Sequence, residues 1–123
     1  MIVERIRKSI LPGTAIPKPE AYADFVVKAW GQRRGETALI YFIPNHSNPS
    51  KPHEKGVTES EFEKAFTALQ KSGEFTRDWF NMYLPNCAME GGCNFITIGG
   101  VFVLLGDATY SNRGVYERSR QQE

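Results

Sequence analysis

The run Thr58, Glu59, Ser60 and Glu61 constrains this chain more than any other four residues. A threonine hydroxyl at an N-cap accepts from the backbone N–H three residues on. A glutamate at that third position returns a bond to the N-cap N–H, so the spacing predicts a helix beginning after Thr58. Val57 and Phe62 stand at the two positions of a hydrophobic staple, which sets the angle at which the chain enters. Phe62, Ala65, Phe66 and Leu69 then recur at i, i+3, i+4 and i+7, one apolar stripe on a 3.6-residue period. Glu59, Glu63, Lys64 and Lys71 fall outside the stripe. Ser72-Gly73 stops the helix, because glycine takes the left-handed conformation past a helix end without a Cβ clash.

A second, shorter helix is predicted directly after. Thr76 is placed to cap it, Asp78 suits its positive end, Phe75 and Phe80 repeat the staple spacing, and Pro85 ends it. Trp79, Phe80, Met82 and Tyr83 make its apolar side, whereas Arg77 and Asn81, four residues apart, share the polar side with Asp78. Farther on, Asn94 to Ile98 and Val101 to Leu105 are apolar runs separated by Gly99-Gly100, which predicts a β-hairpin with a two-residue turn. One long strand bent at a glycine bulge is the alternative.

Upstream, Ile2, Val3, Ile6 and Ile10 lie among Glu4, Arg5, Arg7 and Lys8, a helical turn or two or a short strand that docks residues 1–10 on the body. Leu11 to Lys18 is a loop punctuated by Pro12-Gly13 and Pro17. Pro19 suits the first position of a helix, and Tyr22, Phe25, Val26 and Ala29 follow at helical spacing, with Trp30 widening the stripe and Gly31 ending it. This predicts the first main helix over 19–30. Gln32, Arg33, Arg34 and Gly35 form a basic turn, and Thr37 to Ile43 reads as a strand buried on both faces. Asn45 to Gly56 is a polar loop carrying both histidines. Asp107 to Tyr116 adds a last strand or loop, and 117–123 a solvated, frayed tail. Asp107, Arg113 and Glu117 are candidates to line a polar pocket after the apolar run.

Together these elements predict one α+β domain over 1–123, its core at 19–105. It has three main helices and a small antiparallel sheet made of 37–43, 94–98 and 101–105. At 123 residues the chain can bury a true core. The formal net charge of +1 supplies no strong field toward nucleic acid or anionic membrane. No signal-peptide apolar region opens the chain and no run approaches the ~18 apolar residues of a membrane span, so a cytoplasmic protein without membrane contact is expected. Cys87 and Cys93, in a C-x5-C arrangement, are read as free thiols. With His46 and His53 they are the residue types of a zinc site, at spacings that common fingers do not use, so no metal or cofactor is expected. No phosphate loop, dinucleotide fingerprint or paired-carboxylate site is present to carry catalysis.

The order helix, strand, helix, turn, helix, strand, strand resembles a winged helix over about 19–105, carried by the paired helices at Gly73 and the predicted hairpin at Gly99-Gly100. The resemblance implies binding of double-stranded DNA through the helix around 77–84. Arg77 and Asn81 would then reach base edges, with Lys71, Arg33 and Arg34 adding positive charge. The near-neutral charge and an uncharged hairpin tip favour a second reading, a homo-oligomeric protein-interaction module with the helix pair as scaffold. Because the predicted hairpin is apolar on both faces, a homodimer covering Phe95, Phe102 and Leu104 is expected.

Overall fold

One buried helix is clasped between two small antiparallel sheets. The computed structural model describes residues 1–19 and 24–120. The first sheet comprises β1 (Ala15–Ile16), β2 (Phe25–Arg33), β3 (Glu36–Ile43) and β4 (His53–Thr58), in that spatial order. The strand expected at 37–43 is therefore present, with Ala38 to Tyr41 consecutively buried. Residues 25–30 of the helix expected over 19–30 are corrected to β2; residues 20–23, Tyr22 among them, lie outside the described residues. Phe25 and Val27 point inward while Val26 and Lys28 point out, a two-residue alternation that a short apolar run cannot distinguish from helical spacing. Arg34 at φ 49° and Gly35 at φ 75° form the two-residue β2–β3 turn, the left-handed pair that matches strand twist. The polar loop is shorter than expected, because His53 to Thr58 pairs with β3.

Helix α1 (Ile2–Ser9) docks by burying Ile2 and Ile6, followed by Ile10. Its outer side is pinned by Arg7, whose guanidinium lies 4.1 Å over Trp30 and 2.6 Å from Glu59. Helix α2 (Glu59–Ser72) starts at the capping box: Glu61 N donates to Thr58 Oγ1 at 3.2 Å and Thr58 N to Glu61 Oε1 at 2.8 Å. It ends at Gly73, φ 84°. β5 (Glu74–Thr76) leads into α3 (Arg77–Tyr83), capped where Trp79 N donates to Thr76 Oγ1. Pro85 both ends α3 and opens α4 (Pro85–Glu90), occupying a first-turn position where its missing N–H is no loss.

The expected hairpin at 94–98 and 101–105 is corrected to a single helix, α5 (Cys93–Leu104). Most of its residues are buried and its outward positions, Ile96, Val103 and Leu104, are apolar too, so no amphipathic period marks it. A true hairpin follows, β6 (Ala108–Asn112) and β7 (Val115–Arg118), which joins β5 in a second sheet ordered β5-β7-β6. Glu117 and Arg118, expected in the frayed tail, belong to β7; residues 121–123 of that tail lie outside the described residues. The described residues thus hold five helices, and the expected three-stranded sheet is replaced by these two.

Gly99 and Gly100 explain how a helix fits between two sheets. A Cβ on Gly99 would stand 2.1 Å from the Tyr116 ring of β7. One on Gly100 would meet Ile16 of β1 at 2.6 Å and the Pro17 carbonyl oxygen at 3.0 Å. Around this contact Phe75, Phe95, Phe102 and Tyr116 pack ring against ring, with Phe75 and Phe95 centroids 4.9 Å apart. In an open helix Gly→Ala stabilises by about 1 kcal/mol. Here the sign reverses: Gly99→Ala is expected to cost roughly 1–3 kcal/mol by overpacking, read from the urea midpoint. A variant as stable as the parent would contradict the clasped-helix packing.

Candidate functional site

The β2–β3 turn points two arginines at the helical half of the molecule. Arg34 Nε donates to Glu61 Oε2 at 2.8 Å and its Nη2 to Glu61 Oε1 at 2.7 Å, a two-pronged pair. Its Nη1 reaches Glu90 Oε1 at 2.9 Å, and Nη2 also serves the Gly56 carbonyl oxygen. Arg33 Nε donates to the other Glu90 oxygen at 3.0 Å. Asn94 Nδ2 donates to Glu90 and to the Cys87 carbonyl oxygen, while its Oδ1 accepts from the Tyr41 hydroxyl at 2.6 Å.

Burial pushes the Glu61 carboxyl up, but hydrogen bonds from the Arg34 guanidinium and the Thr58 N–H outweigh it and hold the group below its ordinary value. Glu90 behaves alike, burial being outweighed by Arg34, Asn94, Arg33 and the Gly56 N–H. Burial, then the Glu61 charge, pushes the Cys87 thiol up. Burial and Cys93 likewise raise Tyr41. This cluster ties the β2–β3 turn to α2 and α4.

That tie absorbs two of the expected DNA-contact residues, Arg33 and Arg34. Arg77 turns inward: its guanidinium lies 4.6 Å over Phe95, and Nη1 donates to the Gly92 carbonyl oxygen. Only Lys71 and Asn81 of the five are exposed. Of the expected dimer residues, Phe95 and Phe102 are fully buried within the chain and Leu104 is 41% exposed. The premise of an uncovered apolar hairpin is thereby corrected: α5 buries those rings inside its own protomer. Cys87 and Cys93 are both free, and His46 and His53 lie in the loop after β3 and at the start of β4. Among the described residues no three His, Cys, Asp or Glu side chains are grouped to hold a metal ion, and no helix is long and apolar enough to cross a membrane.

The face left open lies between α2 and α3. Glu63, Lys64, Thr67, Ala68 and Lys71 of α2 and Trp79 and Tyr83 of α3 line a recess of about 500 Å³. Trp79 and Tyr83, one helical turn apart, stack with centroids at 5.4 Å, and Phe75 braces Trp79 from behind at 5.8 Å. Tyr83, in the lining, is 57% exposed, and Met82, next to it in α3, is 69% exposed. Tyr83 and Lys64 also border a second hollow of about 200 Å³ that reaches Arg34 and Cys87. The sequence assigned Trp79, Met82 and Tyr83 to the buried side of α3, yet only Phe80 of that helix is fully covered. The available signal was length: the seven residues of α3 bury one large side chain, not four.

Set against protein-family models, curated proteins and solved structures, the chain matches none.

The lowered carboxyls of Glu61 and Glu90 fix a pH dependence. Groups with depressed native pKa stabilise above their unfolded values, near 4.3, and lose that contribution as pH falls through the native ones. Stability is therefore expected to hold from neutral pH to about 5 and to drop below it. Glu61→Gln, which keeps the capping geometry, should cost roughly 2–4 kcal/mol at neutral pH and flatten the acid limb. Urea midpoints measured across pH check this; identical acid limbs in parent and variant would contradict it.

Proposed function

We propose that this chain is a small winged-helix-like binding module that pairs with a second copy of itself through the α2–α3 face. The order of α2, β5, α3, α4, α5, β6 and β7, with β7 between β5 and β6, supports the winged-helix likeness, displaced from 19–105 to 59–118. Pairing is the better use of such a unit here. The helix before the hairpin, α5, has Asn94, Phe95, Thr97 and Ile98 buried and offers little to a DNA groove. Base reading by Arg77 and Asn81 would further require Arg77 to leave Phe95.

The observation that carries the proposal is self-complementarity. The same face presents projecting apolar side chains, Met82 and Tyr83, and an aromatic-lined recess beside them, which is what a two-fold interface requires. Its lining carries both signs, Glu63 with Lys64 and Lys71, so a two-fold pairing can set the carboxylate of one copy against a lysine of the other. Trp and Tyr are also the side chains most often found as energetic anchors of interfaces. The expected homodimer is thus retained, with its contact moved from Phe95 and Phe102 to Trp79, Met82 and Tyr83.

Light scattering from micromolar to near-millimolar concentration tests this. The mass is expected to rise from 13.9 kDa toward twice that value, and Tyr83→Glu, at an exposed position, should hold it at 13.9 kDa while remaining folded. A single-chain mass at every concentration, or a dimer indifferent to Tyr83→Glu and Met82→Glu, would overturn it.

A further inference from the structure

On a different part of the surface, an open cleft of about 990 Å³ lies between the loop after β1, the start of α3 and the β6–β7 hairpin. Lys18, Arg77 and Arg113 line it from those three separate segments, with Thr76, Asp78, Tyr110, Gly114 and Val115 beside them and Ile96 of α5 as an apolar floor. Its volume is at the upper end of that of small-molecule sites, which run roughly 300–1,000 Å³.

Among the described residues, no carboxylate is paired with the cations of this cleft. Arg5, Arg7, Lys28, Arg33 and Arg34 each hold a carboxylate. Among the described residues no such ion pair is made by Lys18, Arg77 or Arg113. Lys18 rests 4.7 Å over Phe25 and Arg77 over Phe95, each with its charge carried by an aromatic face. The other two residues expected at a polar pocket with Arg113 are occupied: Asp107 pairs with Arg5, and Glu117 accepts from Ser111. Asp78 is the one carboxylate among the described lining residues and forms no ion pair there.

Backbone geometry holds two of the cations together. The Arg77 N–H donates to the Gly114 carbonyl oxygen at 2.9 Å, tying the start of α3 to the hairpin turn. Gly114, at φ 80°, completes that turn directly after Arg113. Arg77 can keep its face on Phe95 and one N–H on the Gly92 carbonyl while its remaining N–H groups, with the Arg113 guanidinium and the Lys18 ammonium on the same cleft, suit an oxyanion with several acceptor oxygens. The apolar floor and the Asp78 carboxylate suit the remainder of the ligand, a flat body bearing hydroxyl donors.

We propose that this cleft binds a phosphate monoester of mononucleotide size, with the phosphate held by Arg77, Arg113 and Lys18 and sugar hydroxyls donating to Asp78. The shared chemistry is the phosphate group, and the alternative source is the backbone of a nucleic-acid strand.

Amide NMR titration of the full chain with adenosine 5′-monophosphate separates these. Saturable shifts are expected at Thr76, Arg77, Gly114 and Val115, with inorganic phosphate at least fivefold weaker. Arg113→Gln, at an exposed turn position, should weaken binding by at least fivefold with an otherwise unchanged spectrum, and Arg113→Lys should recover part of it. No shifts at these amides up to 10 mM, shifts confined to the Lys64 and Lys71 surface, or equal binding by Arg113→Gln would overturn the proposal. So would binding of a short DNA duplex without binding of the mononucleotide. Tyr83→Glu is expected to leave the titration unchanged, so failure of self-pairing and failure of this site are told apart.

Discussion

The contact between Arg34 and the pair Glu61 and Glu90 ties the first sheet to α2 and α4 beside the apolar core that they share. Arg34 belongs to the turn of the first sheet, Glu61 to the first turn of α2 and Glu90 to the last turn of α4. The guanidinium side chain is 21% exposed, that of Glu61 11% and that of Glu90 19%, so the charges meet where water screens them poorly. Removing one partner strands the others, which is why such a cluster is costly to break even where a fully apolar replacement would be tolerated. Its benefit is specificity: the fork of Arg34 reaches both carboxylates only while the β2–β3 turn keeps its left-handed backbone and α4 keeps its end beside β4.

Everything around α5 follows from this placement. Asn94 carries the polar tie into the first turn of α5 and from there to Tyr41 at the centre of β3. The rest of α5 is apolar but for Thr97, and two adjacent glycines admit Tyr116 from one side and Ile16 from the other. With the large rings of Phe75, Phe80, Phe95 and Phe102 taken into this core, α3 has only its outer face left. Trp79, Met82 and Tyr83 are what remains there, and the proposed pairing surface is a by-product of where the core stops.

Local chemistry was legible in the sequence, and tertiary choice was not. The capping box at Thr58, the stop at Gly73, the cap at Thr76 and the buried run of β3 rest on contacts between near neighbours, so spacing alone finds them. The segment 93–104 was misread because its outward positions, Leu104 among them, are as apolar as its buried ones, so no polar face reveals its period, and Gly99-Gly100 marks close approach as readily as a turn. Residues 25–33 were misread because Phe25, Val26 and Ala29 satisfy helical spacing while strand pairing with β3 decides the outcome. Arg33 and Arg34 looked like free cations because Glu90, the carboxylate they share, lies far along the chain and carries no local signal.

Native-state hydrogen exchange on Arg34→Met tests the tie most directly. If Arg34 ties the first sheet to α2 and α4, protection should fall together in β4 near Gly56 and in the α4–α5 region around Ala88 to Phe95, as well as at the turn itself. Loss confined to the turn amides of residues 33–36, with Ala88 to Phe95 as protected as in the parent, would contradict the account.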